Sequence, residues 1–499
     1  MKRATSLVVV AAVSGLIAAA ASLGAAAPVR AQTAGCFTAP TMTPTDPAFL
    51  AGDISAFTTS QQTVDCFAWQ AFIAMNWPVD PAWPDTPDAA GEPDRTATAA
   101  AFGLPRTNAG ADPRPVVWET FKRTQDVFRP DDPSPPAPWG VLPTMPATCA
   151  AAGAGPDDKI LTRQAKSAAA GVENPDRFMQ ATGNWLADQN GELVWYELLT
   201  NRAEFEAIVA NKWYLASGQK ASLEGPSGLA LPTGTAPGAT VQPWSQLGAM
   251  ELKAAWRVLT DYPETWSRYY TVAGWTHDPN TGACSKEIFG LAGLHIIQKT
   301  QRFNNFMWST FEQVDNAPSA DTDPVPPHGW AFYDADCAAK GTCVAGTGLT
   351  CAKAIEAEGK GQTTTPPADP APIPVKRCYP VGDADQLAEL NAAMKKMFSG
   401  ATGGQSVFQY YQLVNVMWPE TPLPPPRAGA ATPLDTSTMT RAGGMPVANT
   451  SMESFRQDMD CTACHAYASP PSSVTRAGGG SYATDFSFLF DDAYDDLSK

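Results

Sequence analysis

The sequence predicts an α+β fold: an antiparallel β-rich core with peripheral helices, long proline- and glycine-rich loops and a helical C-terminal segment. Three observations predict it. Between Ala249 and Val314 the chain alternates apolar and polar residues in three short runs, the period of strands. In separate stretches on either side, apolar residues recur at helical spacing instead. The 46 prolines and 39 glycines are spread along all 499 residues, which keeps the elements short and marks no linker. The division expected is 1–31, 32–440 and 441–499: an N-terminal export signal, a β-rich α+β region, and a C-terminal segment packed on it. No internal repeat is visible.

In chain order, a helix is expected from about Thr63 to Trp77, where Phe67, Ala71 and Ala74 share a face and Pro78 stops it. Val116 to Phe121 reads as a short strand or helix entry. Trp185 to Leu199 reads as a hairpin turning at Asn190-Gly191, a type I′ signal because both residues accept positive φ. Arg202 to Tyr214 has helical spacing. In Ala249–Leu259 one face carries Met250, Leu252, Ala254, Trp256 and Val258, and the other Glu251, Lys253 and Arg257. Ile288–Lys299 would place Phe289, Leu291, His295, Ile297 and Lys299 together, with Phe306–Val314 as its antiparallel partner. Asp383–Phe398 reads as a helix and Val407–Trp418 as a strand. Thr450-Ser451-Met452-Glu453 has the form of a capping box, so a helix is expected from Ser451 towards Cys461.

Lys2 and Arg3, then an apolar run from Leu7 to Ala27 and the small residues around Val29-Arg30-Ala31, have the make-up of a secretory signal peptide. Cys36 as a lipoprotein cysteine is the minor alternative. No later stretch is long and apolar enough to span a membrane. The chain carries a formal charge of -16; residues 1–31 hold three cations and no acid, so their removal leaves -19. Such a charge disfavours nucleic acid and favours a basic partner.

The motif with the sharpest chemistry lies near the end, Cys461-Thr462-Ala463-Cys464-His465. Two cysteines two residues apart, followed at once by histidine, are the attachment signal for a c-type haem. Thioether bonds at Cys461 and Cys464 would fix the porphyrin edge, and His465 would be the proximal iron ligand. A zinc half-site would need a second ligand pair, and a redox dithiol a βαβ setting. Export agrees with the haem reading and permits disulfides. Eight of the ten cysteines lie outside the motif (Cys36, Cys66, Cys149, Cys284, Cys337, Cys343, Cys351 and Cys378), an even number that full pairing needs.

Residues 466–499 hold neither histidine nor methionine, so a sixth iron ligand would come from upstream. His277 and His328 sit in polar, loop-like settings. His295 stands in an apolar strand, where a bare imidazole is costly, so it is the leading candidate beside the alternative of a hydrogen-bonded core histidine. Met307, Met417 and Met445 are thioether candidates that serve packing equally well, Met452 is expected on the proximal side, and an open iron position also stands. The face Glu251, Lys253 and Arg257 reads as a salt-bridged solvated surface, with a polar pocket or an anchor for haem propionates as the functional alternative.

Gly293-Leu294-His295-Ile296-Ile297-Gln298-Lys299-Thr300, the stretch Met307 to Pro318, and Asn449 to Phe455 before the cysteine motif together resemble a group of exported bacterial cytochrome c-family proteins. The resemblance runs over most of the mature chain. It implies covalent haem c, one per chain, a periplasmic location, and haem binding by Cys461, Cys464 and His465. It supplies no substrate and gives His295 no role. The function expected is therefore electron transfer in the periplasm to a basic redox partner protein. The alternatives are a haem-dependent oxidoreductase of peroxidase or oxygenase type, and a haem-based small-molecule sensor.

Overall fold

The computed structural model describes residues 60–106, 114–162, 184–234, 244–278, 281–319, 323–334, 362, 366, 369–381, 386–421, 426–458 and 460–498. Residues 1–31, expected to be an export signal, and Cys36, Cys337, Cys343 and Cys351 lie outside the described residues. Those described belong to a single compact unit spanning Thr41–Lys499, so the C-terminal segment is part of the same body as the β-rich region.

Helix α1 is Gln61–Met75, capped by the Ser60 hydroxyl, which accepts from the Thr63 amide at 3.3 Å. It ends at Asn76, just before Pro78. The other helices used below are α2 Arg202–Ala210, α3 Ala216–Glu224, α4 Gln386–Ala401 and α5 Cys461–His465. The strands are β1 Lys122–Arg123, β2 Lys159–Thr162, β3 Trp195–Thr200, β4 Met250–Val258, β5 Thr271–His277, β6 Cys284–Gln298, β7 Met307–Gln313, β8 Tyr411–Pro419 and β9 Met439–Arg441. They form one nine-stranded sheet in the order β1-β3-β4-β6-β7-β8-β9. β6 has 15 residues and serves two neighbours along one edge: β5 on its first half and β7 on its second. Every pairing is antiparallel except β2 with β5.

The sheet is covered on both faces, and this overturns the solvated reading of Glu251, Lys253 and Arg257. One face is apolar. On it α1 packs Trp69 and Phe72 against Phe311, with ring centroids 5.0 and 4.5 Å apart, and Trp118 stacks on Trp256 at 5.7 Å. Trp69, Phe72, Trp118 and Trp256 are fully buried, and each such side chain contributes about 1.5–3 kcal/mol or more. The opposite face is polar yet also buried: Glu251 is 8% and Arg257 5% exposed. Arg257 is held by Asp188 Oδ2 and the Tyr269 hydroxyl, each at 2.9 Å or closer.

β6 departs from simple alternation. The pairing with β4 shifts between Ala255 and Trp256, so that Gly293 faces Ala255, Leu291 faces Trp256, and Ala292 between them is left over. One extra residue reverses the parity of a strand. Phe289 and Leu291 therefore point to the apolar face with Val258 and Trp256, whereas His295 and Ile297 join Lys253 and Glu251 on the polar one. The expectation that all of them share a face fails for this reason. The Asn190-Gly191 turn is also different: Gly191 alone takes positive φ, at +83°, and the loop closes more widely, with the Asp188 amide donating to Glu192. Val407 to Tyr410 is a 3-10 turn leading into β8, and Val117–Thr120 another leading into β1.

The polar face receives the segment that precedes α5. The helix expected from Ser451 is a series of turns, because its capping groups are spent elsewhere. The Thr450 hydroxyl and amide donate to Glu312 Oε2 at 3.0 and 3.2 Å, and Asn449 donates to Thr310 Oγ1 and the Phe311 carbonyl. Met452 and Phe455 enter an apolar cluster with Tyr196, Ala255 and Ala292, so Met452 is buried packing and not a free thioether. Gly293 permits this approach: a Cβ there would lie 2.5 Å from Ser451 Oγ and 2.8 Å from Asn449 Nδ2. Gly293→Val should destabilise the protein by about 1–3 kcal/mol through this overlap. Urea denaturation reads it, and an unchanged midpoint would mean that the 449–451 turn does not rest on β6.

Candidate haem site

Because pairs directly opposite one another in an antiparallel sheet share a face, the register writes out the floor of the site. One row runs Leu198, Lys253, His295, Thr310, Asn415, and the next Thr200, Glu251, Ile297, Trp308, Met417. α5 lies over the end of these rows. Thr462, buried, donates its hydroxyl to Met417 Sδ at 3.2 Å. The Trp308 ring meets the His465 ring edge-on at 4.4 Å, and Phe488 meets it at 5.0 Å. Asp460, at the head of α5, is held by Arg441 at 3.0 Å.

The His465 ring is oriented by one bond. Its Nδ1–H donates to the Phe486 carbonyl at 2.8 Å, which leaves Nε2 with the lone pair; this is the outer-shell arrangement that orients metal-ligating histidines. Burial lowers its pKa to about 4, outweighing the opposing pull of the Phe486 carbonyl, so the ring is neutral at ordinary pH. Phe486 and Asp485 both occupy the left-handed region, at φ of +67° and +55°. A phenylalanine there is strained by about 1–2 kcal/mol. The loop is fixed by Asp485, which accepts from Lys299 Nζ at 2.6 Å and the Leu231 amide at 2.7 Å, with Asp485 and Lys299 both at 0% exposure.

Cys461 and Cys464 are half-buried and are the free cysteines of the described residues. Burial, with Glu453 and Asp460 adding to it at Cys461, pushes both thiols up. That is the reverse of the lowered thiol of a redox dithiol. Among the described residues no third metal-ligating atom converges on them as a tetrahedral zinc site requires. The remaining cysteines behave differently. Cys149 and Cys284 form a disulfide, and Cys66 and Cys378 are disulfide-bonded as well. His277 lies beside the Cys149–Cys284 bridge, whose sulfurs are thereby taken.

His295 comes to the same place. Its Nε2 lies 2.9 Å from Glu453 Oε1, and it and Lys253 both interact electrostatically with His465. Burial works against ionisation of Glu453, but His295, Lys253 and the Asn449 amide outweigh it and hold the carboxyl below its ordinary value. Burial lowers the Lys253 ammonium, which lies 5.1 Å over the Tyr196 ring and is drawn back by Glu453 and Cys464. Met307 is buried and Met445 half-buried with no contact to the motif among the described interactions, and His328 is exposed. Of the residues singled out from sequence, Cys461, Cys464, His465, His295, Lys253 and Met417 are therefore brought together. Trp308, Glu453 and the Asp485–Phe486 corner were missed; Trp308 was recoverable only from the strand register.

The chain matches no family model, no curated protein and no solved structure. Among the described residues no helix is long and apolar enough to cross a membrane. Lys299→Met should cost about 3–5 kcal/mol, since it strands a buried Asp485. Pairing it with Asp485→Asn should recover most of that loss in chemical denaturation. Two additive losses would show that the buried pair does not fix this corner.

Proposed function

We propose that the protein is an exported mono-haem c-type cytochrome that carries electrons in the periplasm. Haem is held covalently by Cys461 and Cys464 with His465 as the proximal ligand. One observation carries the reading: the two free cysteines among the described residues lie in one short helix with a histidine whose Nδ1 is fixed by a backbone carbonyl and whose Nε2 is left for a metal. When bound, the haem supplies a one-electron iron centre. The chain's own part is to orient His465 through Phe486, to wall the ring with Trp308 and Phe488, and to bring His295, Glu453 and Lys253 to the same face. The resemblance of the stretches at Gly293–Thr300, Met307–Pro318 and Asn449–Phe455 to exported cytochrome c-family proteins agrees with the reading, and the acidic chain favours a basic redox partner.

His295 is the proposed sixth ligand: Glu453 engages one ring nitrogen and Nδ1 is left for the metal. Met417 is a weaker candidate, since its sulfur already accepts from Thr462. A second reading, a haem oxidoreductase, is favoured by the same trio, because a histidine–carboxylate pair beside a lysine is an acid–base set. The sensor reading has no observation of its own.

Protein matured with a cytochrome c assembly system should keep its haem through denaturing electrophoresis, and Cys461→Ala with Cys464→Ala should abolish attachment. Haem that extracts freely, or none, sinks the proposal. In the parent protein a low-spin spectrum indifferent to carbon monoxide supports the carrier, and a high-spin, reactive one the oxidoreductase. His295→Ala should keep the haem attached and turn it high-spin. If its spectrum and potential equal those of the parent, His295 is not a ligand.

A further inference from the structure

At the far end of the polar face lies a second group of ionisable side chains that the haem reading does not use. Glu204, on α2, is fully buried, and Glu251, on β4, is 8% exposed. Both carboxylate oxygens of Glu204 and one of Glu251 are buried without a hydrogen-bond partner among the described residues. The two carboxyl groups nevertheless lie beside each other, with Ser487 near Glu251 and Thr200 near Glu204. The other charged groups acting on them are Lys299 and Asp485, which already neutralise each other at 2.6 Å. Two ionised carboxylates here would be left without a counter-charge of their own and with three oxygens short of a hydrogen bond. A single proton shared between them removes one charge and supplies the missing donor.

We propose that Glu204 and Glu251 form a buried proton-binding pair that takes up a proton when the iron site at His465 gains an electron. The inference rests on the haem reading above. Its geometry is that of the sheet. Glu251 stands opposite Ile297, and Ile297 opposite Trp308, whose ring is 4.4 Å from His465. Two strand spacings separate Glu251 from Trp308, about 10 Å. The backbone continues the link: Ser487, which lies beside Glu251, directly follows Phe486, whose carbonyl holds the His465 ring. Burial pushes both carboxyls up, that of Glu251 to about 7, with Lys299 and Ser487 opposing and Asp485 adding to the rise. The pair thus keeps its proton to higher pH than an ordinary carboxyl does. On reduction one electron comes from a one-electron donor protein and one proton from a hydronium ion of the solvent, whose O–H bond breaks as the O–H bond of the pair forms and which leaves as water; oxidation returns both. Across about 12 Å of protein at an effective dielectric of about 20, one charge alters proton affinity roughly tenfold.

The test is the midpoint potential of the holoprotein, measured by spectroelectrochemistry from roughly pH 5 to pH 9, the range of raised carboxyl values. A tenfold change in proton affinity lowers the potential by about 59 mV in total across the titration. Glu251→Gln and Glu204→Gln should each flatten that step while the haem stays attached. Haem propionates, or the half-buried Asp491, whose carboxyl burial raises to about 6, would leave the step intact in both variants, and that result overturns the proposal. So does a flat potential in the parent, or a step abolished by added calcium, which would make the pair a cation site. Infrared titration of the protonated-carboxyl band needs no haem: a band lost near neutral pH in the parent and absent from Glu251→Gln supports the pair. No such band refutes it whatever the iron does. Failure of haem attachment alone would instead count against the cytochrome reading.

Discussion

The structure depends on how three residues before the cysteine motif, Asn449 to Ser451, are bound to a buried polar face. Asn449 reaches Thr310 and the Phe311 carbonyl, Thr450 reaches Glu312, and Tyr196 donates to the Ser451 carbonyl at 2.7 Å. Glu312 is in turn paired with Arg377, and both are almost fully buried. A half-satisfied polar face inside a protein is more costly than an apolar one. Here the C-terminal segment supplies partners that β6 and β7 lack, and the sheet supplies partners that the turns lack. Neither part is complete alone, which is why the chain past residue 440 does not read as a separate cytochrome domain.

The apolar half of the sheet was legible because burial and alternation agree there. β4, β7 and β8 fall close to where period-two patterning puts them, and α1, α2 and α4 where apolar residues recur at helical spacing. The polar half was not legible for a matching reason. Glu251, Lys253 and Arg257 look like a solvated stripe as long as their partners are unknown, and those partners, Asp188, Glu453 and Glu204, are distant in sequence. β6 was misread in a particular way: Gly290 and Gly293 bracket an extra residue, Ala292, and a fixed alternation cannot carry across it. The capping-box pattern at Thr450 failed because a side chain that can cap a helix can equally bind a carboxylate on a strand, and only tertiary context decides.

At the site itself, Cys461, Cys464 and His465 stood out from local spacing alone, since thioether chemistry demands neighbours along one helical turn. His295 could be singled out because an imidazole in an apolar strand needs a reason. Its reason, Glu453, was not visible, because that glutamate had been assigned to a helix cap. Trp308 and Phe486 carried no signal. A tryptophan in a strand and a phenylalanine in a loop are ordinary core residues until register and a left-handed backbone place them against a histidine.

The reach of the contacts under the cysteine motif bears on the order in which the molecule is made. The Tyr196 to Ser451 bond spans 255 positions and the Asn449 to Thr310 bond 139, so closing this face pays the loop entropy of about half the chain. Strands β3 to β7 can pair with one another through far shorter loops. Most of the sheet can thus form before the segment from Asn449 onward docks on it, and Cys461 and Cys464, which follow that segment in sequence, are among the last described groups to be enclosed.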